Sequence, residues 1–215
     1  MISVIDYGAG NLRSVENALK ELQVPYAITS QPADVAGASA ILLPGVGHFG
    51  QMMRSLDRLG LISVLREAIA RGVPYLGICL GMHALYESSE EAPSLPGLGI
   101  LSGTIRRFPE GLKVPHMGWN QLEIQPGCRI FDGIAPSPFV YFAHSYYLPM
   151  NGSTSGSSSG ASSGETKGGR ASALADYGFR FVAAMEEKNI SGVQFHPEKS
   201  GEIGLRMLRN FVQGR

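Results

Sequence analysis

The 215-residue chain is poor in cysteine, with two residues, and holds a single tryptophan. It carries no charge excess, because 18 lysines and arginines balance 18 aspartates and glutamates. A neutral chain gives no reason to expect nucleic acid or a membrane surface as a partner. No apolar run approaches the ~18 residues of a membrane-spanning helix, and the first residues lack the basic segment of a signal peptide. These absences favour a protein of the reducing cytoplasm. The length of 215 residues fits a single domain over 1–215.

The two cysteines, Cys79 and Cys128, lie far apart and neither is followed by histidine at metal-ligand spacing. We therefore expect no metal site, no cofactor and no disulfide. Cys128 is interpreted as a structural residue.

Strand-like and helical patterns alternate along the first half of the chain. Apolar stretches at 2–5, 25–29, 40–43 and 73–78 indicate strands, and two of the intervals between them hold apolar residues at helical spacing: Leu12, Val15, Leu19, Leu22; Leu61, Val64, Leu65, Ala68, Ile69. This alternation predicts an α/β fold with a mixed, mostly parallel sheet and helices on both faces. Active sites in such sheets lie beyond the carboxyl ends of the strands.

The pattern changes after about residue 95. Stretches 99–108, 119–124 and 139–148 predict antiparallel strands added to the same sheet, and 177–186 and 190–195 predict two more strands. The last helix is predicted from Leu205, Leu208, Phe211 and Val212, which share one face. The segment 151–170 is dominated by glycine and serine, so we expect a flexible loop there.

Gly77-Ile78-Cys79-Leu80-Gly81 follows an apolar strand and precedes a helical stretch. This is the glycine spacing of a nucleophile elbow, with cysteine at the position of the nucleophile. The glycines leave room for a sharp turn, and the following helix N-terminus favours the thiolate. A buried structural cysteine in an α/β sheet is the alternative interpretation.

A cysteine nucleophile needs a base, and His196 and Glu198 are candidates for the base and its orienting carboxylate. Residues two apart in an extended segment point the same way, so the carboxylate can reach the imidazole. A surface turn would explain the pair equally well. His48 and His116 are most simply structural or surface residues, and His144 fits a core position.

Pro44-Gly45-Val46-Gly47 is a glycine-rich turn at the end of another predicted strand. Its backbone N–H groups could stabilise an oxyanion or bind a phosphate. An ordinary strand-to-helix turn is the alternative, and the Gly-Lys-Ser/Thr sequence of a P-loop is missing.

The turn at 44–47, the elbow at 77–81 and His196-Pro197-Glu198, in that order, resemble the class I (triad) glutamine amidotransferases. Further stretches are similar to one branch of that family, the glutaminase subunits that serve histidine biosynthesis: 5–15, 87–93, 115–120, 144–147 and 194–200. Together they cover nearly all of the chain outside 151–170. Pro115-His116-Met117-Gly118-Trp119-Asn120 is the most distinctive of them.

The resemblance implies a class I amidotransferase fold of flavodoxin-like type, and a role for each matching residue. Cys79 would attack the side-chain amide of glutamine, with His196 as base and Glu198 orienting it. The N–H of Leu80 and one from Gly45, Val46 or Gly47 would form the oxyanion hole.

The resemblance also implies a set of substrate contacts. These are Gly81, His83, Glu91, His144, Ser145 and Tyr146, with Glu91 near the α-amino group of glutamine. His83 departs from the family, which usually has glutamine at that position.

The expected partner is a (β/α)8-barrel cyclase subunit that receives ammonia and forms a heterodimer with this chain, with Trp119, Tyr141 and Lys199 on the docking face. Trp119 could instead lie in the core, and Lys199 could be a solvated charge. Two alternatives stay open: an amidotransferase subunit for anthranilate or pyridoxal phosphate synthesis, and a docking protein that no longer hydrolyses glutamine.

Overall fold

Strands and helices alternate in the computed structural model, which describes residues 1–9, 12–150 and 170–214. The strands are β1 (Ile2–Ile5), β2 (Tyr26–Thr29), β3 (Ala40–Gly45), β4 (Tyr75–Cys79), β5 (Tyr86–Ser89), β6 (Leu101–Arg107), β7 (His116–Ile124), β8 (Phe139–His144), β9 (Tyr146–Tyr147), β10 (Arg170–Asp176), β11 (Arg180–Glu187) and β12 (Ile190–Val193). The helices are α1 (Leu12–Glu21), α2 (Pro32–Ala36), α3 (Phe49–Arg58), α4 (Leu61–Ala70), α5 (Leu80–His83) and α6 (Gly201–Gln213). Short 3₁₀ turns occupy Arg129–Phe131 and Pro197–Lys199.

The main sheet has nine strands in the order β2-β1-β3-β4-β12-β11-β10-β7-β8. The strands from β2 to β12 in this order pair parallel, and those from β12 to β8 pair antiparallel. The sheet is therefore mixed, and the predicted α/β class is confirmed.

Helices cover both faces of this sheet because the parallel strands are apolar on both sides. Along β3, Ala40 and Leu42 pack into one core cluster with apolar residues of α1 and α6. Ile41 and Leu43 point the other way and pack with apolar residues of α3 and α4. The two-sided burial predicted from the alternating pattern is thus present.

Three strands form a second, smaller sheet in the order β5-β6-β9. The predicted strand 99–108 was expected to add antiparallel to the main sheet, and this placement is wrong, because β6 pairs parallel with β5 and antiparallel with β9. The predicted strand 139–148 divides between the sheets, since β8 joins the main sheet and β9 the smaller one. The pairing of β7 with β8 is antiparallel, as predicted.

Several elements were not predicted from the sequence. The helix α3 was missed, although Phe49, Met52, Met53 and Leu56 recur at helical spacing and are buried. The strands β5 and β10 and the short helix α2 were also missed. The predicted loop 151–170 lies outside the described residues, except for Arg170, which begins β10. In the described part of the chain, every helix is too short or too polar to cross a bilayer.

Candidate active site

The carboxyl ends of three adjacent parallel strands define the site. In the main sheet β4 lies between β3 and β12. Gly45 at the end of β3 pairs in register with Cys79 at the end of β4. The chain beyond β12 then leads within three residues to His196. Segments distant in the sequence therefore meet because the sheet order brings their strands together.

Cys79 sits at the turn between β4 and the one-turn helix α5. Its backbone has φ 51° and ψ −106°, a conformation that L-residues rarely adopt. A Cβ on Gly81 would overlap the carbonyl group of Leu43, and a Cβ on Gly77 would overlap that of Gly81. The two glycines therefore allow the close approach that the turn requires, as the elbow spacing predicts.

His196 and Glu198 form a buried pair beside Cys79. The His196 Nδ1 atom lies 2.8 Å from Glu198 Oε1, and both side chains are almost fully buried. The other oxygen, Glu198 Oε2, is buried with no hydrogen-bond partner among the described residues. Because Nδ1 faces the carboxylate, Nε2 is the ring atom left for the hydrogen bond that joins His196 to Cys79.

The electrostatics of His196 favour the protonated form of its ring. Burial disfavours the imidazolium, but hydrogen bonds and charge interactions with Cys79 and Glu198 outweigh it and raise the pKa of His196 to about 10. At neutral pH the ring is therefore positively charged. A charged imidazolium beside the sulfur holds a proton that it can give to a leaving group.

The glycine-rich turn after β3 lies against the start of α5. A Cβ on Gly45 would come within 2.7 Å of Leu80 Cβ and 2.9 Å of Gly81 N, so backbone approaches backbone here. Gly47 has φ +99°, which favours glycine. The turn is held by Tyr7, whose hydroxyl donates to Val46 O at 3.2 Å and accepts from Val46 N at 3.3 Å.

Tyr7 was not singled out from the sequence. It is buried, and burial raises the pKa of its hydroxyl to about 12. The hydroxyl therefore stays protonated and can donate and accept at the same time. No local pattern predicts this contact, which joins residues 39 positions apart.

A cavity of about 190 Å³ opens next to the sulfur. Its lining contains most of the residues predicted for the oxyanion hole and for substrate contacts: Val46, Gly47, Cys79, Leu80, His83, Glu91, His144, Ser145 and Tyr146. Pro115, Met117 and Ala143 complete the lining. Gly45 and Gly81 are not among the lining residues; they shape the turn beneath it. Glu91 Oε2 accepts from Phe49 N at 2.7 Å, which fixes this carboxylate at the start of α3.

His83 is linked to the cysteine through a second buried side chain. The His83 Nε2 atom lies 2.7 Å from Gln194 Oε1, and Gln194 Nε2 donates to Cys79 Sγ at 3.6 Å. Burial lowers the pKa of His83 to about 4 despite this hydrogen bond, so the ring is neutral. The amide oxygen can only accept, so His83 carries its proton on Nε2. Gln194 is therefore a contact of the reacting sulfur that sequence reasoning missed.

The residues predicted for the docking face lie together on the surface. The Trp119 and Tyr141 rings meet edge to face at 6.2 Å, and Lys199 Nζ lies 5.6 Å from the centre of the Tyr141 ring. Trp119 is 58% exposed, so it does not belong to the core. Met117 and Phe139, at 63% and 56% exposure, add large apolar side chains that were not predicted. We call Met117, Trp119, Phe139, Tyr141 and Lys199 the docking patch, after the role predicted for three of them.

Comparisons with known proteins identify the family of this chain. The family described as "Glutamine amidotransferase class-I" matches residues 3–214. The chain is 46% identical over 213 residues to the imidazole glycerol phosphate synthase subunit HisH of Herpetosiphon aurantiacus, which covers 99% of this chain and 94% of that protein. It is 44% identical over 213 residues to the protein of the same name in Methanothermobacter thermautotrophicus, covering 99% and 98%. A solved structure described as a glutamine amidotransferase has the same fold, with a TM-score of 0.73, 19% identity, and coverage of 99% and 97%.

Proposed function

The chain belongs to the class I glutamine amidotransferase family, and on this premise we propose that it is the glutaminase subunit of an imidazole glycerol phosphate synthase. It hydrolyses glutamine to glutamate and ammonia and delivers the ammonia to the synthase reaction of histidine biosynthesis. The observation that carries the proposal is the buried Cys79–His196–Glu198 series at the edge of the 190 Å³ cavity. Relatives at 41–46% identity over nearly the whole chain support the assignment to this branch.

The proposed reaction begins with attack of the Cys79 thiolate on the side-chain amide carbon of glutamine. The negative charge on the amide oxygen is stabilised by the Leu80 N–H and by an N–H of the turn that contains Val46 and Gly47. Collapse of this intermediate breaks the C–N bond, and His196 gives its proton to the departing ammonia. A glutamyl thioester remains on Cys79.

Water then attacks the thioester, and His196 takes a proton from the water as the new C–O bond forms. The C–S bond breaks, glutamate leaves, and the thiolate–imidazolium pair is restored. Throughout the reaction Glu198 holds the ring with Nε2 towards the sulfur. The balance is glutamine plus water to glutamate, ammonia and the proton that the new carboxyl group releases.

We propose a (β/α)8-barrel cyclase subunit as the partner that uses the ammonia, in a cytoplasmic heterodimer. It would convert a phosphoribulosyl-formimino-carboxamide nucleotide into imidazole glycerol phosphate and an aminoimidazole carboxamide ribotide, so lyase activity belongs to the complex. The exposed apolar side chains of the docking patch support a protein partner. The free Cys79 needs reducing conditions, which supports the cytoplasm.

The test is glutamate release from glutamine by the pure chain, alone and with the cyclase subunit of the same organism and its nucleotide ligand. Activity should rise sharply with both, vanish in Cys79→Ala and persist in Cys128→Ala, which replaces the other buried cysteine away from the site. Absence of turnover in every combination, with the partner bound and Cys79 reduced, would instead identify a docking protein without glutaminase activity.

A further inference from the structure

The strand β7 presents two different faces. Met117 and Trp119 point outward and are largely exposed, whereas His116 is buried at 3% and Asn120 is partly buried. This alternation is the normal geometry of a strand. It means that one strand carries part of the docking patch on one side and a set of polar side chains on the other.

The inward side chains form a series of hydrogen bonds that ends at the cavity wall. His144 Nδ1 lies 2.7 Å from Tyr146 O. A carbonyl can only accept, so His144 has its proton on Nδ1, and its Nε2 is an acceptor when the ring is neutral. His116 Nδ1 lies 3.0 Å from that Nε2 and therefore donates to it. His116 Nε2 is then the acceptor for Asn120 Nδ2 at 3.3 Å.

The far end of the series is fixed by the backbone. Asn120 Nδ2 also donates to Asp176 O at 2.7 Å, and Asn120 Oδ1 accepts from Gln121 N at 2.8 Å. The orientation of the amide is therefore determined. Each donor from Asn120 through His116 to His144 points towards Tyr146, so only one arrangement of protons satisfies the series.

Both rings must be neutral for this arrangement to exist, because a proton on either acceptor nitrogen would place two donors face to face. Burial lowers the pKa of His116 to about 4. Burial also lowers the pKa of His144 well below its usual value, and the hydrogen bond to Tyr146 opposes this only in part. The rings are therefore neutral at physiological pH.

We infer that Asn120 and His116 are positioning residues for glutamine, because they hold His144 and thereby the Ser145–Tyr146 wall of the cavity. His144, Ser145 and Tyr146 all line the cavity. His116 and Asn120 do not touch it, so they act through His144. This inference rests on the proposed function, since glutamine is the ligand of that wall. It assigns a role to the inward residues of the 115–120 segment, whose outward residues Met117 and Trp119 belong to the docking patch.

His116 allows hydrogen bonding to be separated from packing. Its ring stacks between Phe142, at 4.7 Å and 22°, and Tyr177, at 4.0 Å and 21°. His116→Phe keeps a stacked ring but removes both hydrogen bonds. His116→Gln keeps one donor and one acceptor but removes the ring.

The experiment measures KM and kcat for glutamine in the complex with the cyclase subunit and its ligand. Glutamine affinity is measured in parallel on the Cys79→Ala background. His116→Phe should raise KM and the dissociation constant about fivefold to tenfold, with kcat within about twofold, because of the two hydrogen bonds lost only the one to His144 holds the cavity wall. His116→Gln should stay within about twofold of the parent. Alkylation of Cys79 by iodoacetamide should be equal in all three, because the nucleophile is unchanged.

The inference is overturned if His116→Phe has the same KM for glutamine as the parent, or if His116→Gln raises this KM as much as His116→Phe does. Nitrogen-15 NMR gives an independent readout, because the series requires the proton on Nδ1 of both His116 and His144; a proton on Nε2 of either ring also overturns it. A parent complex that binds glutamine without hydrolysing it would refute the proposed function, while the binding and NMR measurements would still decide the role of His116.

Discussion

Replacing Gln194 with methionine tests how the sulfur of Cys79 is held. The change removes an amide whose oxygen lies 2.7 Å from His83 Nε2 and whose nitrogen lies 3.6 Å from Cys79 Sγ. Gln194 is completely buried, and methionine has a similar length, so the space that the Gln194 side chain occupies should stay filled. The variant therefore removes the polar contacts with little change in packing.

Two separate losses follow from this substitution. His83 stays neutral, because its pKa of about 4 lies far below the working pH, and its buried Nε2–H loses its acceptor. An unsatisfied buried donor costs about 1–3 kcal/mol of folding free energy. Cys79 loses a donor to its thiolate. A hydrogen bond to a charged group contributes about 1.5–3 kcal/mol, and the lower value suits a long N···S contact, so kcat/KM should fall about tenfold.

Urea unfolding measures the first loss, and glutamate release by the complex measures the second. The matched control is the double variant His83→Leu, Gln194→Met, in which both polar partners are gone. It should recover most of the stability without recovering the activity, because removing both partners of a buried hydrogen bond costs much less than removing one. This reasoning would be refuted if the single variant unfolded with the same free energy as the parent, or if the double variant released glutamate at the rate of the parent.

Three further predictions concern single sites. In Glu198→Gln the pKa of His196 should fall below about 10, because one of the two partners that raise it is lost while Cys79 remains. The raised pKa of His196 stabilises the fold fully below pH 6.5, and this contribution is lost as the pH rises to 10. The variant should therefore have a lower free energy of unfolding than the parent at pH 7 and an equal one above pH 10. NMR titration measures the pKa, and denaturant unfolding at each pH measures the stability. Gly81→Ala should cost roughly 3 kcal/mol or more, because its Cβ overlaps the Leu43 carbonyl, whereas Gly72→Ala, with φ +91° and open space, should cost about 1–2 kcal/mol; equal unfolding free energies would contradict this. Ser172→Ala should leave stability unchanged or raise it by about 1 kcal/mol, because its buried hydroxyl has no hydrogen-bond partner among the described residues; a clear loss in calorimetry would count against that.

The parts of the site that could be predicted from the sequence are those whose physical requirements are local. The elbow is specified by the space that Gly77 and Gly81 leave around Cys79, and this spacing is visible in five consecutive residues. The pairing of His196 with Glu198 is also local, since the two residues lie two apart. Each of these arrangements depends on little beyond its own segment.

The contacts that were missed join distant segments. His83 and Gln194 are 111 positions apart, and neither has a neighbouring pattern that indicates the other. The placement of β6 failed for a related reason, because an alternating strand has the same pattern in whichever sheet it pairs. The choice between two sheets is made by packing between elements, which a single sequence does not display.

The central position of β12 in the main sheet has a consequence for how the protein is made. Gln194, directly after β12, and Cys79 are separated by 115 positions, yet β12 is the strand that joins the β4 side of the sheet to the β11 side. Until β12 has been synthesised and inserted, β4 has an open edge able to pair with other chains. A nascent chain that ends before β12 therefore has neither a continuous main sheet nor His196 beside Cys79. The reactive pair is created only when the sheet is completed, so unfinished chains cannot release ammonia.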